Sequence, residues 1–419
     1  MHGGVGGISR KTDTGTALPL PETVRMPCRT VFLFWENAMS DKRHEGRYQR
    51  RKAQREQRRA EKIGHFDDFN LVANADNLCA AFKRAKRGVA WKESVQRYEA
   101  NLLTNVIETK RKLLAGEDVR RGFVEFDVNE RGKTRHIKSV HISERIVQKC
   151  FCEEVLSPIL ENPLIYDNGA SITGKGTQFA LKRLSTHLRR FYRENGNSNE
   201  GYALIIDFRK YFDSINHYAL ARELAPYIKN RQNRNLLWCF IQAFGPEKSL
   251  GLGSEVSQIC AVFFPNRIDH FIKEKLRIKF YGRYMDDLYL IHSDKEYLKY
   301  CLREITKLCE KLGITIHDKK TRIVRLTQGV NFLKGRYILK ETGKIVRLPS
   351  RDSTVRMRRK LKKYKGLCER GLMKPSDVRT SYQSWRGCFR KRFDAYYKIK
   401  RMDKLYNELF IYNHAQMSA

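Results

Sequence analysis

The most informative stretch of this chain reads Lys279-Phe280-Tyr281-Gly282-Arg283-Tyr284-Met285-Asp286-Asp287-Leu288-Tyr289-Leu290-Ile291-His292. Two β-prone segments flank two adjacent carboxylates, which predicts a β-hairpin with Asp286 and Asp287 at its tip. Because side chains alternate across a strand, the two carboxylates should point in different directions. Carboxylates held this close are stable mainly with a cation between them, so a metal site is the first hypothesis. The plain alternative is an ordinary Asp-Asp turn.

A second segment supplies a third carboxylate. The run Tyr202 to Ile206 is continuously apolar and ends in Asp207. This pattern is typical of a buried strand that delivers an acid to its carboxyl end. The chain between Asp207 and Asp286 is long enough to hold helices between two neighbouring antiparallel strands, so three carboxylates are expected to converge. Hard oxygen ligands in that number suit Mg²⁺, and two such ions about 3.5 to 4 Å apart commonly drive nucleotidyl transfer.

The charge of the chain predicts a polyanionic partner. Its 419 residues include 83 Lys and Arg against 46 Asp and Glu, a net charge of +37. This excess favours nucleic acid over a membrane or another acidic partner, the plain alternative being a solvated basic surface. No apolar run approaches the roughly 18 to 20 residues of a membrane span, so no membrane partner is expected. The ten cysteines form no C-x-x-C pair, which fits a reducing, cytoplasmic setting and offers no zinc site.

These segments resemble the catalytic palm of reverse transcriptases, in particular the prokaryotic group II intron, diversity-generating and defence-associated types. The resemblance runs in the family's order from about residue 85 to about residue 410. The blocks that carry it are Gly132 to Arg135, Asp207 to Ser214, Gly251 to Gln258, Tyr284 to Asp287, Lys319 to Thr321 and Gly329 to Gly335.

The resemblance implies an α+β right-hand polymerase, with an antiparallel palm sheet backed by helices and a helical thumb. The domains it implies are a basic N-terminal extension without stable structure (1–62), fingers (63–200), palm (201–340) and thumb (341–419). From Asp41 to Lys62 the extension is a basic arm that lies along RNA phosphates or is a solvated tail. A further hypothesis is that translation starts at Met39 rather than Met1.

The same resemblance assigns the catalytic residues. Asp207 and Asp286 would bridge two Mg²⁺ ions, with Mn²⁺ as a substitute, and Asp287 would support them, while Phe208 would add its backbone carbonyl as a metal ligand. Tyr284 and Met285 would complete the hairpin tip. Lys320, or its neighbour Lys319, would protonate the departing pyrophosphate as a general acid. As an isolated loop lysine in so basic a chain, Lys320 would be an ordinary surface charge.

The incoming nucleotide would be held from two sides. A fingers hairpin predicted over Phe123–Val128 and His136–Val140 would grip the triphosphate with Arg135 and Lys133. The residues after Asp207 would meet the triphosphate and sugar: Arg209, Lys210, Tyr211 and Phe212. By resemblance the Phe212 ring excludes a 2′-hydroxyl and so selects deoxynucleotides; otherwise it is plain core.

The block Gly251 to Gln258 would cradle the nascent base pair. Gly251 and Gly253 permit close backbone approach, and Gly253 and Ser254 are the nucleotide-binding candidates. Many relatives carry Gln-Gly where this chain has Leu252-Gly253. The loss of that hydrogen-bonding side chain puts fidelity in doubt.

Further basic residues are expected to contact nucleic acid. The helix predicted from Gln178 to Tyr192 would face template phosphates, and the hairpin Val330 to Gly335 looks like the family's primer grip. A basic helix after Pro349, with an apolar stripe of Met357, Leu361, Tyr364 and Cys368, reads as the thumb. The contacts expected from these elements are Lys182, Arg183, Arg189, Arg190, Gly335, Arg358, Arg359 and Lys362.

One motif suggests a different protein class. Gly169 to Thr177 nearly spells a phosphate-binding P-loop, but Gly176 follows Lys175 where the pattern needs Ser or Thr. The favoured interpretation is an RNA-directed DNA polymerase that makes cDNA from dNTPs on an RNA template. One candidate for that template is a dedicated structured non-coding RNA. It would belong to a mobile-element, diversity-generating or phage-defence system. The alternatives are an RNA-dependent RNA polymerase, which lacks a bulky gate at Phe212, and a catalytically silent RNA-binding scaffold.

Overall fold

A computed structural model describes residues 49–51, 53–130 and 133–411, without the side chains of Glu130, Lys133, Arg351 and Asp352. Most of the predicted basic extension, including Met39, lies outside the described residues. The chain divides after Glu61, and the described residues before that point are helical. Everything that follows concerns the unit that begins at Lys62.

The described residues form three antiparallel sheets. Their strands are β1 (Phe123–Glu130), β2 (Lys133–Val140), β3 (Tyr202–Asp207), β4 (Phe280–Tyr284), β5 (Asp287–His292), β6 (Arg322–Arg325), β7 (Val330–Phe332), β8 (Gly335–Leu339) and β9 (Ile345–Pro349). The central sheet has the order β4-β5-β3-β6, and the two smaller sheets are the β1-β2 hairpin and β7-β8-β9. The predicted fingers hairpin is therefore real, with strands longer than the sequence indicated.

The central sheet is buried on both faces because apolar residues occupy both sides of its middle strands. In β3, Leu204 and Ile206 join one core cluster, while Ala203 and Ile205 join another. Successive side chains of a strand point to opposite faces, so this alternation requires a cover on each side. The helix Lys295–Lys311 contributes Leu298 and Ile305 to the first cluster, and Thr177–Glu194 contributes Leu184 and Leu188 to the second.

Helices account for most of the remaining chain. Before the central sheet they are Phe69–Val72, Ala75–Ala85, Glu93–Ala100, Leu102–Ala115, Ile142–Phe151, Ser157–Leu160 and Thr177–Glu194. From β3 onwards they are Tyr211–Ser214, His217–Leu224, Arg231–Gln242, Glu255–Phe263, Asn266–His270, Lys295–Lys311, Arg351–Glu369, Pro375–Arg392 and Tyr396–Phe410. Two π-helical turns, Cys152–Leu156 and Phe271–Lys275, extend the helices that precede them.

The last three helices have a core of their own. Met357 and Leu361 are buried with Val378, Tyr382 and Met402, as the predicted apolar stripe requires. The ring of Tyr382 stacks on Tyr406 at 4.5 Å. This part of the chain therefore forms a helical bundle, and the predicted α+β class with an antiparallel sheet backed by helices is confirmed.

Within the described residues, none of the helices combines the length and the apolarity that crossing a bilayer demands.

Candidate active site

The three predicted carboxylate residues lie at the same end of the central sheet. Asp207, the last residue of β3, lies directly opposite Asp287, the first residue of β5. Strands β4 and β5 form a hairpin in which Tyr284 pairs with Asp287, so Met285 and Asp286 are its two turn residues. Cross-strand neighbours have Cβ atoms about 4.5 to 5.5 Å apart. The pairing of β3 with β5 therefore joins acids that are far apart in sequence.

Burial and repulsion by neighbouring charges oppose ionisation of Asp286 and Asp287. Burial raises the pKa of Asp287 to about 7, and the charges of Asp286 and Asp207 add to the shift. Burial also raises the pKa of Asp286, and Asp207 again contributes. Lys320 and Arg135 act in the opposite direction on Asp286. Carboxylates in this situation ionise fully only when a cation offsets their charge.

Lys320 already supplies one cationic group. Its Nζ lies 2.6 Å from Asp207 Oδ2. The loop that carries it is attached to the end of β3, since the His317 backbone N–H donates to the Asp207 carbonyl at 2.8 Å. Phe208, whose carbonyl is a predicted metal ligand, forms a bridge with Ile316 of the same loop.

The donor set fits a divalent cation by its chemistry. It consists of carboxylate oxygens, which are the ligands that Mg²⁺ prefers. Among the residues that the structure describes, no three acidic, histidine or cysteine side chains stand close enough to enclose a metal ion. One oxygen of Asp207, a predicted metal ligand, is engaged instead in the ion pair with Lys320.

The residues after Asp207 present their backbone, and only some of their side chains, to the site. Arg209 and Lys210 are exposed, and Lys210 has a left-handed φ of 45°. Phe212 is half-buried and packs edge-on against Tyr211 with 5.9 Å between ring centroids. The Tyr211 side chain is buried, and its hydroxyl donates to the Ala261 carbonyl at 2.6 Å. Tyr211 can meet a nucleotide only through its backbone.

Two residues of the Gly251–Gln258 block make close contacts within the protein. The Ser254 side chain is buried, donates to Gln148 Oε1 at 2.9 Å and accepts from the Ser257 N–H as a helix N-cap. A Cβ on Gly253 would lie 2.4 Å from the Lys138 carbonyl oxygen. The glycine therefore makes room for strand β2, and the Lys138 N–H donates to the Leu252 carbonyl at 3.0 Å. Its contact with a nucleotide stays a prediction.

The fingers hairpin extends towards the carboxylates. Arg135 lies on β2 opposite Val128, and its charge lowers the pKa of Asp286. The triphosphate grip by this guanidinium stays a prediction. The side chain of Lys133 is outside the described residues.

The loop that resembles a P-loop makes contacts within the protein, including one with Tyr284 of the β4–β5 hairpin. Lys175 Nζ donates to the Tyr166 carbonyl at 2.8 Å and lies 5.0 Å from the Phe179 ring centroid, so it is engaged within the protein. Thr177 Oγ1 and the Tyr284 hydroxyl are 3.3 Å apart. These contacts, together with Gly176 after the lysine, count against an ATPase.

The predicted nucleic-acid contacts divide into exposed and internal residues. Five are exposed: Lys182, Arg189, Arg358, Arg359 and Lys362. Arg190 is paired with Glu194 at 3.4 Å. Arg183 is also paired, and its Nε lies 2.6 Å from the buried Asp167. Gly335 is buried, and a Cβ there would lie 2.8 Å from Tyr337 and 3.1 Å from Phe393.

The sequence reasoning missed the residue under the hairpin. Arg283 is fully buried and pairs with Asp269 at 2.7 Å. Its only sequence signal is a charged residue inside a strand whose neighbours are apolar or aromatic.

A protein family matches the part of the chain that contains the three carboxylates. Residues 125–336, just over half of the chain, match the family described as "Reverse transcriptase (RNA-dependent DNA polymerase)". No curated protein matches the chain.

Among solved structures, the chain is similar to telomerases from two yeasts. Telomerase from Candida albicans in complex with a TWJ fragment of telomeric RNA is 14% identical, with a TM-score of 0.43, and the match covers 61% of this chain and 51% of that one. Apo telomerase from Candida tropicalis truncated from its C-terminal domain is 17% identical, with a TM-score of 0.40 and coverages of 53% and 54%. The chain thus spans about half the length of these proteins.

Proposed function

The chain belongs to the reverse transcriptase family, and from that membership we propose that it is an RNA-directed DNA polymerase that extends a primer with dNTPs on an RNA template. One observation carries the proposal: Asp207 and Asp287 oppose each other at the end of the sheet, with Asp286 in the adjoining turn. Reverse transcriptase domains use divalent metal ions. We propose that here they are two Mg²⁺ ions, replaceable by Mn²⁺, held by these three carboxylates.

The bound ions would supply charge neutralisation and a more acidic primer 3′-hydroxyl. The protein's own residues bind and orient. Arg135 approaches from the fingers hairpin and Arg209 from the end of β3, where both can pair with triphosphate oxygens. Lys320, beside Asp207, can donate a proton to the departing pyrophosphate. The catalytic effect is then mostly positioning plus charge stabilisation.

The proposal also has a selectivity element. The Phe212 ring is backed by Tyr211, whose hydroxyl is fixed to the Ala261 carbonyl. A ring supported in this way can block a ribose 2′-hydroxyl without moving aside. This favours DNA synthesis over RNA synthesis and sets the proposal apart from an RNA-dependent RNA polymerase.

The test uses the purified chain with a primed RNA template, Mg²⁺, and either dNTPs or rNTPs. DNA products are expected with dNTPs, and chelation should abolish them until Mg²⁺ or Mn²⁺ is restored. The double variant Asp286→Asn/Asp287→Asn should lose at least about 1,000-fold in rate. Asp318→Asn, an exposed acid on the Lys320 loop, is the matched control and should retain activity.

Two outcomes contradict the proposal. Preferential use of rNTPs by the unaltered chain would identify an RNA polymerase. Absence of synthesis, together with RNA binding that the double variant leaves intact, would identify a scaffold. Replacing Phe212 by Ala should raise rNTP use relative to dNTP use by about tenfold or more.

We also propose a prokaryotic type of reverse transcriptase, on the resemblance of the Gly251 to Gln258 block, working in a mobile-element, diversity-generating or defence system. A reducing, cytoplasmic setting is proposed because the cysteines of the described residues are free. Sequencing the RNA and cDNA that co-purify with the protein tests both the template and the biological system.

A further inference from the structure

Arg283 is a fully buried charge beneath the catalytic hairpin. Its side chain and that of Asp269 are both 0% exposed. The guanidinium meets both carboxylate oxygens, with Nε 2.8 Å from Oδ1 and Nη2 2.7 Å from Oδ2. The Tyr281 hydroxyl donates to the same Oδ1 at 2.5 Å. A buried charge is tolerated when it is paired and hydrogen-bonded in this way.

The remaining donors of Arg283 reach two carbonyls on other elements. Nη2 donates to the Val262 carbonyl at 2.8 Å, and Nη1 donates to the Met285 carbonyl at 3.2 Å. Val262 and Asp269 belong to two successive helices behind the hairpin, whereas Met285 is the first residue of its turn. One planar group therefore joins the turn to the helical layer.

The turn needs such support. Met285 has a φ of 56°, in the left-handed region. A non-glycine residue is strained there, and the conformation persists only where the surroundings hold it. The Met285 carbonyl shares its peptide plane with the Asp286 N–H, so a bond that fixes this carbonyl also fixes the direction in which Asp286 leaves the backbone.

The backbone of Arg283 is fixed as well. Its N–H donates to the Asp167 carbonyl at 3.1 Å, and its carbonyl accepts from the Gly169 N–H at 3.0 Å. Both backbone groups of Arg283 are bonded to the segment Asp167 to Gly169. The position of Arg283 is therefore set independently of the turn. The fixed partner in the contact is therefore Arg283, and the part that it restrains is the Met285–Asp286 peptide.

We propose that Arg283, anchored by Asp269, is a positioning residue that sets the orientation of the Asp286 carboxylate for divalent-cation binding through the Met285 carbonyl. This rests on the proposed function, in which Asp286 is a metal ligand. The competing explanation is that the pair only stabilises the core. The two explanations differ in what happens to metal affinity in a folded variant.

The test compares Arg283→Lys with Tyr281→Phe in the full chain. Lysine keeps a charge opposite Asp269 but lacks the planar fork that reaches Met285. Phenylalanine removes one hydrogen bond from the same Asp269 carboxylate and leaves the Met285 contact in place, so it controls for lost stability. Three quantities are measured at a temperature where each variant is folded: Mn²⁺ affinity by electron paramagnetic resonance of the free ion, single-nucleotide addition, and primer–template affinity.

Arg283→Lys should lower Mn²⁺ affinity and kcat by about tenfold or more, the usual consequence of losing an outer-shell partner. The KM for dNTP and the Kd for primer–template should change little. Tyr281→Phe should lower the unfolding temperature without changing Mn²⁺ affinity or kcat. Wild-type Mn²⁺ affinity and kcat in folded Arg283→Lys would overturn the proposal.

If Arg283→Lys does not fold, Asp269→Asn replaces it, because it keeps an acceptor oxygen but weakens the anchor. Reduced Mn²⁺ affinity supports the proposal, and unchanged affinity in the folded protein overturns it. The failure of the polymerase proposal would be visible separately. It would appear as a wild-type chain that makes no DNA, while the difference in Mn²⁺ affinity between Arg283→Lys and Tyr281→Phe still decides the role of Arg283.

Discussion

Lys320 is the lysine that the geometry selects from an adjacent pair. Both lysines are exposed on the same loop, and the Lys320 Nζ lies 2.6 Å from Asp207 Oδ2. A general acid must lie within reach of the reacting atoms, so Lys320→Gln should lower kcat by about 100-fold. Lys319→Gln is the matched comparison and should have a much smaller effect. Single-turnover nucleotide addition measures both, and equal losses in the two variants would refute the assignment.

His187, on the helix Thr177–Glu194, makes the free energy of unfolding depend on pH. Burial lowers its pKa from 6.5 to about 4, and the nearby Asp167 charge only partly offsets this. The unfolded chain therefore binds a proton between these values that the folded chain does not. The stability contribution is present above about pH 6.5 and is lost as the pH falls to about 4, a change of about 3 kcal/mol.

Replacing His187 by Gln should remove most of that dependence. Glutamine can still hydrogen-bond the Tyr289 hydroxyl, which lies 3.0 Å from His187 Nδ1, but it does not titrate. Urea unfolding at pH 7 and pH 4.5 measures the free energy of unfolding of both proteins. An unchanged difference between the two pH values in His187→Gln would show that other groups cause the acid sensitivity.

At the scale of elements, the fingers hairpin depends on a close approach to the Gly253 loop. A Cβ at Gly253 would lie 2.4 Å from the Lys138 carbonyl oxygen, whereas one at Gly176 would meet no atom within 4 Å. Both glycines have a positive φ, of 124° and 142°. Alanine at either position is therefore strained in its backbone. Of the two, Gly253→Ala also brings its Cβ into a clash with strand β2.

Gly253→Ala should accordingly lower the unfolding temperature more than Gly176→Ala, and it should raise the KM for dNTP because Arg135 is carried by the displaced strand. Thermal unfolding and steady-state nucleotide addition test this expectation. Equal unfolding temperatures, with a change in KM alone, would instead return Gly253 to its predicted role of facing the nucleotide.

Elements whose signal is local were predictable, and contacts between elements were not. The β4–β5 hairpin and the strand ending at Asp207 follow from β-prone runs that end in acids, and the Met357 stripe follows from helical periodicity. Periodicity shows that a residue is covered but not what covers it. The contacts of Ser254 with Gln148 and of Gly253 with Lys138 are examples, because both partners lie far away in the chain.

Arg283 shows the same limit for charge. A sequence pattern gives the sign of a side chain but not whether an opposite charge will be buried beside it. Asp269 pairs with Arg283 only because the helix Asn266–His270 lies behind the hairpin. The placement of the carboxylates was predictable, because Asp207 ends an apolar strand and Asp286 and Asp287 lie at the tip of a predicted hairpin.

At the scale of the whole molecule, the net charge of +37 is only partly available to a partner. Some basic side chains are engaged within the protein, as Arg183 is with Asp167 and Arg283 with Asp269. Other cations are exposed on the last helices, where Arg358, Arg359 and Lys362 lie within one turn of each other on the helix Arg351–Glu369. Residues three and four apart on a helix form one surface patch.

That patch should contribute to nucleic-acid binding through phosphates. Each lost phosphate contact reduces the salt dependence of log Kd by about one, so Arg358→Gln/Arg359→Gln/Lys362→Gln should reduce the slope by up to about three. The matched control removes three exposed charges from the helix Lys295–Lys311: Lys295→Gln/Arg303→Gln/Lys311→Gln. Fluorescence anisotropy of a labelled primer–template across a salt series gives both slopes. A specific thumb contact requires a larger change in the first triple variant, because equal changes would mean that the charge acts only through the field of the whole protein.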